Sequence, residues 1–146
     1  MRLMGLDYGE HTVGVAISDA TATIATGLEI IRRDRENALR ETLRRIGELC
    51  STYEVEGIVL GLPLHMDGGM SERAEKTLIF RDKLSSRLGL PVAMQDERLT
   101  SVEAEDTMRE QGIPRSDWKN HVDRIAAAII LQDYLNGKTD LSAGGR

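Results

Sequence analysis

Three acidic residues stand at positions where the surrounding sequence predicts burial. Asp7 ends the apolar run at residues 3–6, Glu97 ends a predicted strand that starts at Pro91, and Asp123 lies one turn inside an apolar helix. A buried carboxylate is costly unless it is paired, hydrogen-bonded or bound to a metal ion. Asp7, Glu97 and Asp123 are therefore the candidate catalytic and metal-binding residues.

The donor type of these side chains indicates which metal would suit them. Carboxylate oxygens with few competing nitrogen or sulphur ligands favour Mg²⁺ or Mn²⁺, which keep water ligands and bind phosphate oxygens. Two such ions about 3.5 to 4 Å apart can activate a water and stabilise the leaving oxygen of a phosphodiester. The chemistry that this pattern predicts is metal-dependent phosphodiester hydrolysis.

Each acidic residue also has a simpler interpretation. Asp7 precedes Gly9 and could shape a turn, Glu97 could pair with Arg98, and Asp123 near a helix start would be favoured by the helix dipole. These alternatives stay open residue by residue, since acidic residues are common at the ends of elements. Convergence of the three carboxylates in the fold is what would favour the metal site.

Three basic residues are candidates for contact with substrate phosphates. Arg98 follows Glu97 directly, and His11 lies in the first predicted turn, where a histidine is more often simply solvated. Arg73 lies between Glu72 and Glu75, which favours a solvated helix face over a phosphate contact. Arg98 is the preferred candidate of the three.

The elements that must position these residues follow from hydrophobic periodicity. Strands are predicted at 2–8, 12–19, 24–32, 55–60 and 91–95. Helices are predicted at 35–53 with Asp34 as N-cap, at 71–88, from Thr100 to Gly112, and at 118–136. The order βββαβαβαα is typical of an α/β protein with a mixed sheet and helices on its faces.

Length and cysteine content bound the class of protein. A chain of 146 residues suits one domain, expected over residues 1–137, with 138–146 as a flexible C-terminal tail. The chain begins without a signal-peptide pattern and contains no long apolar run, and its single cysteine, Cys50, fits core packing in a helix. We therefore expect a cytoplasmic protein without a membrane partner.

The net charge of −5 and the pI of about 5.2 argue against a broad basic surface of the kind that binds nucleic acid. This does not exclude a nucleic-acid substrate. Divalent cations held by carboxylates invert the local charge and can themselves meet phosphates.

Four segments carry a resemblance to a known family and span almost the whole chain. They are residues 7–16 (DYGEHTVGVA), 61–68 (GLPLHMDG), 96–101 (DERLTS) and 122–127 (VDRIAA) followed by 129–132 (IILQ). In this order they resemble the RuvX/YqgF family of Holliday-junction-resolvase-like nucleases. Three positions depart from the family pattern, because His11 and Thr12 stand where a basic pair is usual and His65 replaces an Asn.

The resemblance implies a ribonuclease-H-like fold with a mixed five-stranded sheet and helices on both faces. It also implies that Asp7, Glu97 and Asp123 are the metal-holding positions. The expected substrate is nucleic acid, either precursor ribosomal RNA cut at the 5′ end of its small-subunit part or branched DNA. The departures at His11 and Thr12 concern substrate binding rather than the three acidic residues.

Two other classes of function stay open. A non-catalytic assembly factor that binds ribosomal particles would need no cleavage chemistry. A nucleotide-binding protein is the weaker rival, because an Asp-x-Gly hairpin also opens two-lobed ATPases and sugar kinases, whereas this chain is long enough for one lobe only.

A resolvase that cuts two strands symmetrically would be expected to form a homodimer.

Overall fold

The fold of residues 1–98 and 100–137 is described by a computed structural model. Its strands are β1 (Arg2–Tyr8), β2 (Thr12–Ser18), β3 (Ala25–Arg32), β4 (Val55–Leu62) and β5 (Val92–Asp96). Its helices are α1 (Arg40–Thr52), α2 (Glu72–Leu88), α3 (Thr100–Glu110) and α4 (Val122–Leu135), with a 3-10 helix at Arg115–Asn120. The predicted order of strands and helices is confirmed.

The five strands form one mixed sheet in the order β3-β2-β1-β4-β5. β2 runs antiparallel to both β1 and β3, whereas β1, β4 and β5 are parallel. The carboxyl ends of β1, β3, β4 and β5 therefore lie at one edge of the sheet, together with the start of β2. We call this the site edge.

Both faces of the sheet are covered by helices. Leu6, Val15 and Leu60 belong to the larger core, which α1 and α2 close from one side. Leu3, Ala16 and Val59 point the other way and pack against α4. Since side chains alternate along a strand, this division also fixes the direction of every polar side chain at the site edge.

Helix α4 packs against the sheet at glycines, where no side chain separates the helix from the strands. A Cβ added to Gly5 would lie 2.6 Å from the Cβ of Leu131, and one added to Gly14 would lie 1.9 Å from the carbonyl oxygen of Asp123. Real Cβ atoms do not approach other atoms this closely. These two glycines therefore set the depth at which α4, and with it Asp123, lies on the sheet.

Two predicted helix starts are wrong. Helix α1 begins at Arg40 rather than near residue 35, and its N-cap is Leu39 rather than Asp34. Residues 33–39 instead form a turn, held by the bond from the Arg33 Nε to the Glu36 carbonyl, 3.2 Å. The predicted helix at 118–136 is split, since the 3-10 helix ends before His121 and α4 begins only at Val122.

Other local predictions are confirmed. Helix α2 is capped by Ser71, whose hydroxyl accepts from the Ala74 amide at 2.9 Å, and it ends at Gly89 in the left-handed conformation. Cys50 is buried in the core. The expected flexible tail, 138–146, lies outside the described residues.

The apolar character of α4 comes from its position against the sheet. Its buried residues are Ala126, Ala127, Ile130 and Leu131. Within the described ranges, no helix combines the length and apolarity needed to cross a bilayer.

The glycine packing of α4 gives a first prediction. Gly14→Ala should lower the free energy of unfolding by at least about 2 kcal/mol, because the added methyl group overlaps the backbone of α4, which cannot move without repacking the core. Urea unfolding measures the change.

Gly47→Ala is the matched control. Gly47 lies within α1, and its added Cβ would come no closer than 3.3 Å to the flexible end of Leu88. Alanine is the better helix former, so this change should be neutral or stabilising. An equal loss of unfolding free energy in both variants would contradict the close packing of α4 on the sheet.

Candidate active site

Asp7 lies near the carboxyl end of β1 on the face covered by α4. It alternates with Leu3 and Gly5, which both contact or approach that helix, whereas its neighbour Tyr8 enters the opposite core. In the β1–β2 register Asp7 is opposite Gly14. The Asp7 carboxyl therefore faces the first turn of α4, where Asp123 is.

Asp123 reaches the site from the far end of the chain. The Thr12 hydroxyl at the start of β2 donates to Asp123 Oδ2 at 2.8 Å. This bond crosses from sheet to helix and holds the carboxylate on the side that faces Asp7. The bond also shows that Thr12 has a structural role in this site.

A hydrogen-bonded chain holds the start of α4 beside the 3-10 helix. Arg124 Nη2 lies 2.5 Å from His121 Nδ1, and His121 Nε2 lies 2.9 Å from Asp117 Oδ2. Arginine can only donate, so Nδ1 accepts and Nε2 carries the proton donated to Asp117. The aliphatic stem of Arg124 covers Gly27 on β3. These contacts fix the residues on both sides of Asp123.

Glu97 approaches the same place from β5. Its backbone amide donates to the Leu62 carbonyl at 3.2 Å, so the chain is still attached to β4 as it leaves the sheet. Its carboxyl carbon would lie 3.0 Å from a Cβ built on Gly61, and its side chain is hydrogen-bonded to Asp7. A glycine on β4 thus leaves the space that lets Glu97 reach Asp7.

Burial and the charge of neighbouring carboxylates raise the affinity of Asp7 and Glu97 for protons. Burial, and next the charge of Asp123, raise the pKa of Asp7 from 3.8 to about 7. Burial, and next the Asp7 charge and the hydrogen bond to Asp7, hold the pKa of Glu97 well above its usual value. Near neutral pH, Asp7 and Glu97 therefore share a proton rather than both being charged.

The donor set fits divalent cations that prefer oxygen. All three side chains offer carboxylate oxygens, and burial together with the charges of neighbouring carboxylates raises the pKa of Asp7 and Glu97, a repulsion that a cation would offset. Across the described ranges, however, no three His, Cys, Asp or Glu side chains already form a group arranged to hold a metal ion. The structure brings Asp7 to Glu97 and near Asp123, and the shared metal site stays a prediction.

Arg73 lies closer to the acidic residues than its sequence position indicates. It does not extend into solvent between Glu72 and Glu75. Its guanidinium forms an ion pair with Glu36 and lies 5.2 Å from the centre of the Tyr8 ring. Its charge lowers the pKa of both Asp7 and Glu97, although burial outweighs it at each.

Arg98 and His11 are both exposed at the site edge. Arg98 is held by Asp96, with Nη2 at 2.6 Å from Oδ2, and it donates to the Met66 carbonyl at 3.1 Å. This contact fixes the loop after β4 to the turn after β5. His11 lies in the β1–β2 turn, where its carbonyl accepts from the Arg33 amide at 2.8 Å. Their predicted contact with substrate remains a prediction.

The sequence interpretation missed Thr12 and the glycines as parts of this site. Thr12 was noted only as a departure from a basic pair, although a threonine next to a buried strand can hold a distant carboxylate. Gly14 and Gly61 interrupt apolar strands, and such glycines often mark a close approach of another backbone or side chain. That signal was available, but its partner in space was not.

Comparison with known proteins identifies close relatives. The family model RuvX, described as Holliday junction resolvase, matches residues 1–137. A protein of Agathobacter rectalis is 51% identical over 93% of this chain and 95% of its own length, and one of Halothermothrix orenii is 47% identical over 97% and 99%. Both are named "Putative pre-16S rRNA nuclease".

Solved structures of junction resolvases share the fold. Thermus thermophilus RuvC in complex with a Holliday junction substrate has a TM-score of 0.57 at 16% identity, covering 97% of this chain and 99% of that one. Fowlpox virus resolvase in complex with Holliday junction DNA has a TM-score of 0.58 at 14% identity, covering 94% and 98%. The predicted ribonuclease-H-like fold is confirmed.

The raised pKa of Asp7 gives a prediction about stability. The fold favours the protonated form of Asp7. The stabilisation that follows from this preference is complete below the ordinary pKa of 3.8 and is lost as pH rises through about 7. In EDTA at pH 8, Asp7→Asn should therefore be more stable than the unchanged chain by about 2 kcal/mol. At pH 4 the gain should disappear, as thermal unfolding at both pH values will measure.

Asp19→Asn is the control with the opposite sign. The Asp19 carboxylate accepts backbone N–H bonds from Thr23 and Ile24, which lower its pKa. Its contribution is present above the ordinary value and is lost as pH falls, so this variant should be less stable at pH 8. An Asp7→Asn gain that is equally large at pH 4 would refute the buried-charge explanation.

Proposed function

This chain belongs to the RuvX family, and we propose that it is a metal-dependent nuclease that processes the 5′ end of precursor 16S ribosomal RNA. Its catalytic and metal-binding residues in this proposal are Asp7, Glu97 and Asp123. The observation that supports the proposal is that Glu97 lies beside Asp7 at the site edge, while Asp123 lies close enough for its charge to raise the pKa of Asp7. Carboxylates that crowd one another in a partly buried site lower stability, which favours a functional role for them.

The cofactor in this proposal is Mg²⁺ or Mn²⁺, bound by Asp7, Glu97 and Asp123. When bound, such ions activate a water and stabilise the leaving oxygen of a phosphodiester during in-line displacement. Carboxylate oxygens are the donors that both ions prefer. No side-chain nucleophile is required.

The side chains of this protein prepare the site for a cation. Asp7 and Glu97 must give up the proton they share, so cation and proton compete for the same oxygens. The Thr12 hydroxyl donates to Oδ2 of Asp123. It does not bind the other carboxylate oxygen, Oδ1. Arg73 adds a positive charge next to Asp7 and Glu97 and favours their ionised forms.

The choice of substrate rests on the relatives. Proteins 41% to 51% identical over nearly the full chain carry the pre-16S rRNA nuclease name. At the site itself, cations held by the three carboxylates would contact a phosphodiester and would not distinguish one sugar from another. Ribosomal particles that contain the precursor would be the partners of this activity.

Resolution of Holliday junctions is the second candidate, because the family description names that activity and the fold is shared with junction resolvases. The same acidic residues would then cut branched DNA. A resolvase would be expected to act as a homodimer, with one site for each of two symmetric cuts.

Substitution of Asp7 tests the catalytic proposal. Asp7→Asn is nearly isosteric, and it should lower the rate of cleavage about a thousandfold or more because it weakens binding of an ion that supplies several kcal/mol. Cleavage should be measured with Mg²⁺ and with Mn²⁺ on precursor 16S RNA, linear DNA and a four-way junction. The substrate that the unchanged chain cuts fastest decides between the two candidates.

Asp19→Asn is the control for this assay, because it removes a carboxylate in the turn between β2 and β3 that takes no part in the site. It should leave cleavage unchanged. If folded Asp7→Asn protein processes precursor RNA as fast as the unchanged chain, catalysis by this site is excluded and a non-catalytic role in assembly takes its place.

Thr12 gives a prediction about positioning. Thr12→Val keeps the shape of the side chain but removes the hydroxyl that holds Asp123, so it should lower metal affinity and cleavage by about 10- to 100-fold. Thr12→Ser keeps the hydroxyl and should recover most of both. Mn²⁺ titration by calorimetry gives a readout besides activity, and equal affinity in Thr12→Val would contradict this role.

A further inference from the structure

A groove lined by arginines lies beside the site edge, where β3 ends and α1 begins. Its volume is about 580 Å³. The residues that surround it include the arginines at positions 32, 33, 35, 40, 44 and 45. None of these belongs to the acidic site.

The segment 32–45 has a charge opposite to that of the whole chain. It contains six arginines and three acids, a net charge of +3, in a chain with a net charge of −5. Six of the 19 basic residues of this acidic protein therefore lie in this one segment. Local charge of this kind, rather than net charge, determines where a phosphate backbone binds.

Three of the arginines are available to a ligand. Arg32, Arg35 and Arg40 are exposed, and none forms an ion pair with an acid in residues 1–98 or 100–137. In contrast, Arg44 pairs with Glu41 and Glu48, and Arg45 with Glu29 and Glu48. Ion pairs therefore engage Arg44 and Arg45, and Arg32, Arg35 and Arg40 are the candidates for contact with a ligand.

Arg33 joins the groove to the β1–β2 turn. Its Nη2 donates to the Gly9 carbonyl at 2.6 Å, and its guanidinium lies 4.8 Å from the centre of the Tyr8 ring. Its Nη1 is buried and has no hydrogen-bond partner. Arg33 therefore anchors the turn at 33–39 to the β1–β2 turn and to Tyr8.

The groove begins where β3 ends, at the same edge of the sheet as the acidic site. In the sheet, β3 is two strands from β1, about 10 Å at the usual spacing between strands. That distance equals about three nucleotides of a stacked strand. Arg73 lies between the two places, next to Tyr8 and to the acids.

We propose that Arg32, Arg35 and Arg40 bind the sugar–phosphate backbone of the nucleic acid that lies across the acidic site, and that Arg33 anchors the turn next to them. This inference rests on the proposed nuclease function. Guanidinium groups suit this role because they remain charged and donate to phosphate oxygens in pairs. Contacts to phosphates fix the register of a strand without reading its bases.

The test is a binding assay in EDTA, where cleavage cannot occur. The probe is a fluorescein-labelled single-stranded RNA 12-mer, with DNA of the same sequence as a second probe. The triple variant Arg32→Gln, Arg35→Gln, Arg40→Gln should bind RNA at least about tenfold more weakly at low salt. Its plot of log affinity against log salt should be less steep by about 2, and DNA should respond in the same way.

The matched control removes three positive charges at the opposite end of the molecule. Arg2→Gln, Lys83→Gln, Arg87→Gln changes the net charge equally, at the start of β1 and in the second half of α2. This variant should keep more than half of the RNA affinity and the full salt slope. An equal loss in both triple variants, or no loss in the groove variant, would overturn the proposal.

The outcome is separable from that of the proposed function. If the unchanged chain cleaves its substrate, and the groove variant keeps both its RNA affinity and its salt slope, the groove proposal alone is rejected. RNA affinity that depends on the groove, without cleavage of any substrate, supports the groove and rejects the nuclease proposal. Circular dichroism of both triple variants verifies that they are folded.

Discussion

The close approach of α4 to the sheet is the constraint on which the rest of the site depends. Asp123 is separated from Asp7 by most of the chain, and only a helix lying directly on strand backbone can bring it near. Gly5 and Gly14 make that possible, because any larger side chain would occupy the space of Ala127, Leu131 or the Asp123 backbone. A packing requirement in the core thus becomes the means by which the acids meet.

That packing has an electrostatic consequence. Three carboxyl groups brought together with little water cannot all be charged without cost. The protein offsets part of this cost by a proton shared between Asp7 and Glu97, by the Thr12 hydroxyl on Asp123 and by the charge of Arg73. A divalent cation would replace the proton and remove the remaining repulsion, which explains why such a site can be both destabilising and retained.

The elements of the fold were predictable because periodicity and capping are local. Ser71 and Gly89 bound α2 through bonds and a left-handed turn encoded within a few residues. The start of α1 was not predictable from local pattern, because Asp34 is a good N-cap by type, whereas the turn at 33–39 is held by Arg33 and by pairs from Glu36 to Arg73 and Lys76. Those contacts depend on α2, which follows α1 in the chain.

The site itself was only partly visible in the sequence. Asp7, Glu97 and Asp123 stood out because carboxylates in apolar segments need a reason. Thr12 and Gly61 did not, since their importance lies in what they face across the sheet.

Net charge was the least informative feature of this sequence. Acids spread over the whole chain make the total negative, whereas segment 32–45 carries a net charge of +3. A phosphodiester needs both, because the reacting phosphate requires cations at the acids and the flanking phosphates require fixed positive charge nearby. An acidic protein can therefore bind a polyanion when its charges are segregated along one edge of a sheet.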